Sequence, residues 1–163
     1  MKRILLAAGL LASTPLAAHA QNTNPTTTNM QVSATAVADC SVTAGNLAFG
    51  NYRGAQLDQQ ATISIACTSV APTSPYVTFG LGANADGTQR RMANGTARLN
   101  YNLYSDSGRT AALAADTQLP ITNAAPGTNN AYAGSVTVYG RIPANQDVVA
   151  GSYSDTVVVT LTY

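Results

Sequence analysis

Residues 156–163 read Thr-Val-Val-Val-Thr-Leu-Thr-Tyr, the clearest strand in the sequence. Val157, Val159, Leu161 and Tyr163 fall on one face of an extended chain, and threonines occupy most of the other face. We expect nothing to follow this strand and cover its outer edge, because it runs to the last residue. An apolar strand with an open edge needs a partner strand from elsewhere in the fold or from another chain.

Shorter stretches with the same two-residue period lie before it, separated by Gly, Pro and Asn-Gly turn signals. Alternating strands with frequent turn signals are typical of a β-sandwich or a β-barrel. The side chains that we expect to face the core are Ala61, Ile63, Ile65, Cys67, Val77, Phe79, Leu81, Leu99, Tyr101, Leu103, Val136, Val138 and Ile142. The sequence therefore predicts an all-β domain of about six strands, with no long helix.

Two regions have a weaker pattern. Ser105–Asn130 is polar and rich in alanine, and it predicts a long connection with a short helical turn at Ala111–Ala115. The adjacent Arg90 and Arg91 predict one solvated side chain and one local ion pair, because neighbours on a strand point to opposite faces.

The first twenty residues have the features of a secretory signal peptide. These features are a positive start at Lys2 and Arg3, an apolar stretch over Ile4–Ala12 and the small-residue cleavage pattern Ala18-His19-Ala20. The apolar stretch is too short to span a bilayer, so we expect export and no membrane insertion. We expect a signal peptide over 1–20, an N-terminal extension over 21–38 and one folded domain over 39–163.

Removal of the signal peptide would take away the only histidine, His19, and the only lysine, Lys2, from a chain without glutamate. Of the eight Lys and Arg residues, six arginines would remain beside seven aspartates, a balance that predicts no binding to nucleic acid or to an anionic membrane. Nucleophilic catalysis would lack a histidine or lysine base. We therefore expect no catalytic residue, no metal and no cofactor in this chain, which is not expected to be an enzyme.

Cys40 and Cys67 are the only cysteines. In an exported chain, a disulfide is the expected state of such a pair. The alternative is two free thiols or half of a zinc site, although zinc needs further ligands that this chain lacks. Cys67 shares the inward face of its strand with two isoleucines, so a disulfide there would help to close the core.

Residues 30–38 read Met-Gln-Val-Ser-Ala-Thr-Ala-Val-Ala and predict another strand. The residues that would share one face are Met30, Val32, Ala34 and Ala36. With the register shifted, Val37 or Ala38 would belong to this set. This strand could be the first of the chain's own sandwich. It could also insert into a neighbouring copy, in a head-to-tail contact that does not close and therefore grows a filament.

Seven blocks of the sequence resemble one known family. They are Cys40-Ser-Val, Leu47-Ala-Phe-Gly-Asn-Tyr52, Ile63-Ser-Ile-Ala-Cys67, Arg91-Met92, Leu99-Asn-Tyr-Asn-Leu-Tyr104, Gly140-Arg-Ile-Pro-Ala-Asn-Gln146 and Gly151-Ser-Tyr-Ser-Asp-Thr-Val-Val-Val-Thr-Leu-Thr-Tyr163. The chain resembles the spore coat protein U domain, whose family includes subunits of archaic, Csu-type chaperone–usher pili. The resemblance covers about residues 39–163, nearly the whole mature domain.

The resemblance implies an incomplete immunoglobulin-like β-sandwich that lacks its last strand. In such pilins a periplasmic chaperone fills the gap with its own strand, and at the outer-membrane usher the N-terminal segment of the next subunit replaces it. The donor side chains carried over to this sequence would be Met30, Val32, Ala34 and Ala36. The acceptor edge would be Val157, Val159, Leu161 and Tyr163, and Cys40–Cys67 would be the disulfide of the fold.

The function implied by this resemblance is that of a structural pilus subunit. It would polymerise by donor-strand exchange into an extracellular fimbrium for surface attachment and biofilm formation. Its expected partners are the periplasmic chaperone, the outer-membrane usher and identical or related subunits. The alternative is a self-complemented secreted domain, either a coat protein or a carbohydrate-binding module. The purified protein would be chaperone-dependent or polymeric in the first case and monomeric in the second.

Overall fold

The computed structural model describes residues 25–37, 39–68, 75–121, 125–126 and 131–163. The predicted signal peptide at residues 1–20 lies outside the described residues. The chain divides into two units, Met1–Thr35 and Ala36–Tyr163, and the strands described below all belong to the second unit.

The second unit contains nine described strands, against the six or so that the pattern predicts. They are β1 (Cys40–Ala44), β2 (Leu57–Cys67), β3 (Tyr76–Phe79), β4 (Arg90–Asn94), β5 (Ala97–Tyr104), β6 (Leu119–Pro120), β7 (Ala125–Pro126), β8 (Tyr132–Ile142) and β9 (Val159–Thr162). The long strands form where buried and exposed side chains alternate, since that alternation fits a sheet with one face on the core.

Two antiparallel sheets form a β-sandwich. The first sheet has the order β1-β2-β8-β5-β4, with β7 also pairing to β8, and the second has the order β6-β3-β9. Ile63 and Leu103 of the first sheet share one buried cluster with Val77 and Phe79 of the second, so the core lies between the sheets. The described residues contain no helix, and the predicted all-β class is confirmed.

Most of the predicted core positions are buried. The buried set is Ala61, Ile63, Ile65, Cys67, Val77, Phe79, Leu99, Tyr101, Leu103, Val138 and Ile142, and only Leu81 and Val136 are half-buried. The two-residue period was enough to predict the buried positions, because each of these strands has one face on the core.

The prediction for Ser105–Asn130 was wrong in its described part. β6 and β7 lie within it, and Leu113, Leu119 and Ile121 are buried. Where a helical turn was predicted, Ala112 instead forms a β-bridge with Tyr104. Single apolar residues separated by polar ones have no period of either kind, so their burial depends on tertiary contacts that the local pattern does not contain.

The predicted strand at residues 30–38 is absent from the described residues 30–37, and Ala38 lies outside the described residues. Residues 25–37 have no regular secondary structure. Met30 and Val32 expose 83% and 78% of their surface. A strand persists only when its main-chain groups pair with a neighbour, and no described strand pairs with this segment.

The side chain of Gln146, the last residue of the Gly140–Gln146 motif, has a structural role. The ladder between β5 and β8 covers only Asn102–Tyr104 and Tyr139–Arg141. Beyond it, Gln146 Oε1 accepts a hydrogen bond from the main-chain N–H of Asn100 at 2.7 Å, and Gln146 Nε2 donates to the Asn100 carbonyl at 3.0 Å. The side-chain amide therefore takes the place of a peptide group and continues the β5 ladder past the end of β8.

Gln146→Leu is expected to lower the free energy of unfolding by about 2 kcal/mol, because a half-buried N–H and a carbonyl would lose their partners together. Urea unfolding of the full chain measures this change. Gln60→Leu is the matched control, since Gln60 is exposed on β2 and should change stability little. Equal unfolding midpoints for the two variants would contradict this role of Gln146.

Candidate functional site

Within the described residues, the C-terminal strand pairs along one of its two edges. β9 pairs with β3, from Val159 opposite Phe79 to Thr162 opposite Tyr76. Main-chain hydrogen bonds continue the same edge upstream of β9. They join Val158 to Gly80 at 2.9 Å, Thr156 to Ala83 at 3.0 Å, and Ser154 to Ala93 in both directions at 2.8 and 3.1 Å. From residue 154 to residue 162, the segment therefore pairs first with β4, then with residues 80–83, which follow β3, and finally with β3 itself.

The other edge of this strand is open. The paired N–H and C=O groups upstream of β9 belong to even-numbered residues, and successive residues of a strand direct these groups to opposite edges. Val157, Val159 and Leu161 therefore turn their main-chain groups away from β3. No strand pairs with this second edge in the part of the chain that the structure describes. Such an edge can accept an added strand.

A cavity of about 490 Å³ runs beside this open edge. One wall is Tyr153–Val157 with Val159, and the other is Ala44–Leu47, which includes the end of β1. The remaining lining residues are core side chains, namely Phe49, Ala61, Ile63, Phe79, Met92, Tyr101, Leu103 and Val138. We call this cavity the open groove. Its lining is that of a sandwich core in which one strand is lacking.

The inward face of β1 is also uncovered. Val42 lies opposite Ile65 in the register of β1 and β2, so it shares the inward face with that buried isoleucine. Even so, Val42 is 37% exposed, whereas Ile65 is 3% exposed. The difference indicates that no described strand of the second sheet covers this end of the first sheet.

A polar cluster holds one wall of the open groove in place. Tyr101 Oη donates to Asp155 Oδ2 at 2.6 Å, and the backbone N–H and side-chain amide of Asn84 donate to Asp155 Oδ1 at 3.1 and 3.0 Å. Burial raises the pKa of Tyr101 above its ordinary value, and the hydrogen bond to Asp155 raises it further, so the phenol remains a donor. Gly82, at φ +95°, leaves room for the carboxylate, which a Cβ at that position would overlap.

Arg90 is buried, which contradicts the prediction of a solvated side chain for one of the two arginines. It is 5% exposed and donates to the carbonyls of Phe79, Gly80 and Leu113. Burial lowers its pKa, and nearby Tyr101 and Asp155 act in the opposite direction. The other half of the prediction is confirmed, because Arg91 pairs with Asp86 at 3.1 Å. Arg90 joins the end of β3 to the loop before β6 through main-chain acceptors.

The predicted disulfide is present between Cys40 and Cys67, which lie directly opposite each other on β1 and β2. Among the predicted acceptor residues, Val157, Val159 and Leu161 are half-buried and pack against the core, whereas Tyr163 is 41% exposed. The predicted donor residues, Met30, Val32, Ala34 and Ala36, are exposed and outside any strand.

The lining residues that sequence reasoning missed include the four large side chains of Leu47, Phe49, Met92 and Tyr153. Leu47 and Phe49 lie in the loop after β1, where no period marks them as core residues. Both are quoted in the family motif at residues 47–52, which was the signal available for them.

Two features are not found among the described residues, a cluster of metal ligands and a membrane-spanning helix. Among them, no three His, Cys, Asp or Glu side chains lie close enough together to hold a metal ion. No helix in the described ranges has the length and apolar character needed to cross a bilayer.

The solved structures contain a fold similar to this one. A chain in the crystal structure of the CsuC–CsuE chaperone–tip adhesion subunit pre-assembly complex, from archaic chaperone–usher Csu pili of Acinetobacter baumannii, superposes with a TM-score of 0.56 at 24% sequence identity. The match covers 79% of the present chain and 40% of that chain, so the present chain spans less than half of it. This likeness concerns the fold, and it confirms the predicted immunoglobulin-like β-sandwich.

The sequence comparisons identify the family. Protein U of Myxococcus xanthus is 31% identical over 183 residues, an alignment that covers 98% of this chain and 94% of the relative. The family model of the Spore Coat Protein U domain matches residues 26–160, which include β1 to β8 and the first part of β9. The chain belongs to the Spore Coat Protein U domain family.

Proposed function

We propose that this protein is a structural subunit of an archaic chaperone–usher pilus and that it polymerises by donor-strand exchange. The open groove of one copy receives residues 30–36 of the next copy as an added strand. The single observation that carries the proposal is the open edge of residues 154–162 beside a cavity lined by core side chains.

The leading segment has the properties that a donor strand needs. Met30 and Val32 are large apolar side chains that remain mostly exposed in the isolated chain. Burial of each on insertion would stabilise the contact by about 1.5–3 kcal/mol before ordering costs. Main-chain hydrogen bonds to Val157, Val159 and Leu161 would supply further affinity, as in other cases of strand addition.

The proposed partners are a periplasmic chaperone and an outer-membrane usher, and the proposed location is the cell surface. Before assembly, a periplasmic chaperone occupies the open groove with its own strand, and an outer-membrane usher then exchanges that strand for the donor segment. The CsuC–CsuE complex, described as a chaperone–tip adhesion subunit pre-assembly complex, supports this by analogy of fold. The assembled fimbrium is extracellular and serves in surface attachment and biofilm formation.

A self-complemented coat protein is the second candidate, and the name of the family favours it. In that case the purified protein would be a monomer whose own leading segment is buried.

Deletion of Gln21–Ala38 tests the proposal. The exported full chain is expected to give a ladder of oligomers on a detergent gel without heating, and the ladder should collapse to monomer after boiling. The deletion variant should still bind the chaperone but give no ladder, because it can accept a strand and cannot donate one. Deletion of residues 21–28 alone is the matched control and should preserve the ladder. A monomeric full chain, or normal fibres from the larger deletion, would contradict the proposal.

A further inference from the structure

The outer face of the first sheet carries a regular array of hydroxyl groups. On β2 the buried Ala61, Ile63 and Ile65 alternate with exposed residues, whose side chains lie on the side of the sheet opposite to the core. Residues directly opposite each other in an antiparallel ladder share a face, so the register of β1, β2 and β8 gives the rest of this surface. Six of its side chains carry a hydroxyl group, namely Ser41, Thr43, Thr62, Ser64, Ser135 and Thr137. We call these six residues the hydroxyl face.

The hydroxyl groups form rows that cross the strands. Thr43, Ser64 and Ser135 lie opposite one another on β1, β2 and β8, and Thr62 lies opposite Thr137 in the next row. Within a row the strands are about 4.8 Å apart, and the two rows are about 6.7 Å apart. Thr43, Thr62 and Ser64 are exposed, and Ser135 and Thr137 are half-buried. The array is therefore accessible to another molecule.

The hydroxyl face also lacks the charges that usually keep copies of a protein apart. Residues 60–66 of β2 and 133–139 of β8 contain no charged residue. The nearest charges on these two strands, Asp58 and Arg141, pair with each other at 2.7 Å at one end of the face. Charged residues make up 9% of the chain, against about 25% in an average protein. With six arginines and seven aspartates outside the predicted signal peptide, copies of the domain repel one another only weakly.

We propose that the hydroxyl face packs against the hydroxyl face of a second copy, so that filaments of this subunit associate side by side. Each hydroxyl group can both donate and accept a hydrogen bond, so the face is complementary to a copy of itself. Its short side chains also lose little rotational freedom when two faces meet. The inference rests on the proposed function, because it concerns filaments. The donor strand enters between the sheets, on the other side of the first sheet, and leaves the hydroxyl face free.

The small size of the face means that the association needs repeated contacts. Residues 60–66 extend for about 20 Å, and three strands are about 14 Å wide, which gives about 300 Å² per copy. A stable pair of proteins buries about 800 Å² on each partner. Two isolated copies would therefore separate. Two filaments bring many such contacts together, and each contact after the first forms within one assembly.

Charged variants of Thr62 test the inference. Filaments of the full chain are detached from cells that also produce the chaperone and the usher, and low-speed sedimentation with electron microscopy measures the associated fraction. Thr62→Arg and Thr62→Asp each place like charges on both sides of the contact, so the associated fraction of each variant should fall about tenfold or more. Thr160→Arg is the matched control, because Thr160 is an exposed threonine on a strand of the second sheet. Its filaments should associate like those of the unchanged chain.

A mixture of the two charged variants identifies the partner. Filaments of Thr62→Arg mixed with filaments of Thr62→Asp should associate again, because opposite charges then face each other across the contact. If both variants are dispersed and their mixture stays dispersed, the hydroxyl face does not contact a second copy and the inference is overturned.

The oligomer ladder on a detergent gel distinguishes this inference from the proposed function. A normal ladder from an unchanged chain whose filaments lie singly would overturn side-by-side association and leave strand exchange standing. The same conclusion would follow if Thr62→Arg filaments associated as much as those of the unchanged chain. The absence of a ladder from the unchanged chain would instead overturn the proposed function.

Discussion

Val159→Asp is expected to abolish capture of a donor strand, and with it the formation of oligomers. Val159 lines the open groove, packs against the core and lies at the edge where the donor strand would add. An aspartate there would be an unpaired carboxylate in a site that closes when the donor arrives. Burial of such a charge costs about 3 kcal/mol or more, which reduces the binding constant about a hundredfold.

Val158→Asp is the matched control, because the neighbouring side chain faces the opposite way. Val158 is 67% exposed, and a carboxylate at that position would stay in water. Both full-length variants are exported with the chaperone, and the amount of co-purified complex is measured, together with the oligomer ladder. Val159→Asp should lose both, whereas Val158→Asp should keep both. A normal chaperone complex from Val159→Asp would remove that residue from the acceptor edge.

The strands and the face of each strand were largely predictable. Ile63 and Ile65 on β2, or Leu99 and Leu103 on β5, alternate with polar residues, and each is buried as predicted. The alternation is strong because one face of each sheet meets the core and the other meets solvent. The half-buried Val159 and Leu161 on the last strand follow the same pattern.

The positions of Leu47 and Phe49 and the burial of Arg90 could not be predicted from the local pattern. Leu47 and Phe49 lie in a loop and pack where Gly140, about ninety residues later in the sequence, carries no side chain that would collide with them. Arg90 is buried because three carbonyls converge on it, and such an arrangement is visible only in the folded chain. The positions of these residues therefore depend on contacts between parts of the chain that are far apart in the sequence, and a two-residue period does not report such contacts.

The leading segment shows a different limit of sequence reasoning. Residues 30–38 have the alternation of a strand, yet residues 30–37 are not a strand in this structure. Alternation reports which side chains could share a face, whereas strand formation also needs a neighbour for the main chain. In the proposed function that neighbour is the acceptor edge of another copy.

The double variant C40S/C67S is expected to lose about 3–4 kcal/mol of the free energy of unfolding. The disulfide joins residues 27 apart in sequence, and the chain-entropy model assigns about that value to a loop of this length. A domain of this size has a total free energy of unfolding of about 5–15 kcal/mol. The open groove also exposes apolar surface that a complete sandwich would bury. The exported yield of the variant should therefore fall sharply.

Urea unfolding of the full chain measures this loss, and a reducing agent provides the control. Reduction of the original chain should lower its unfolding midpoint to that of the double variant, whereas the same treatment should leave the double variant unchanged. A strand supplied to the open groove should recover part of the loss, since a ligand that binds only the folded state stabilises it. If the oxidised and reduced chains unfold at the same urea concentration, the Cys40–Cys67 disulfide does not stabilise the folded domain.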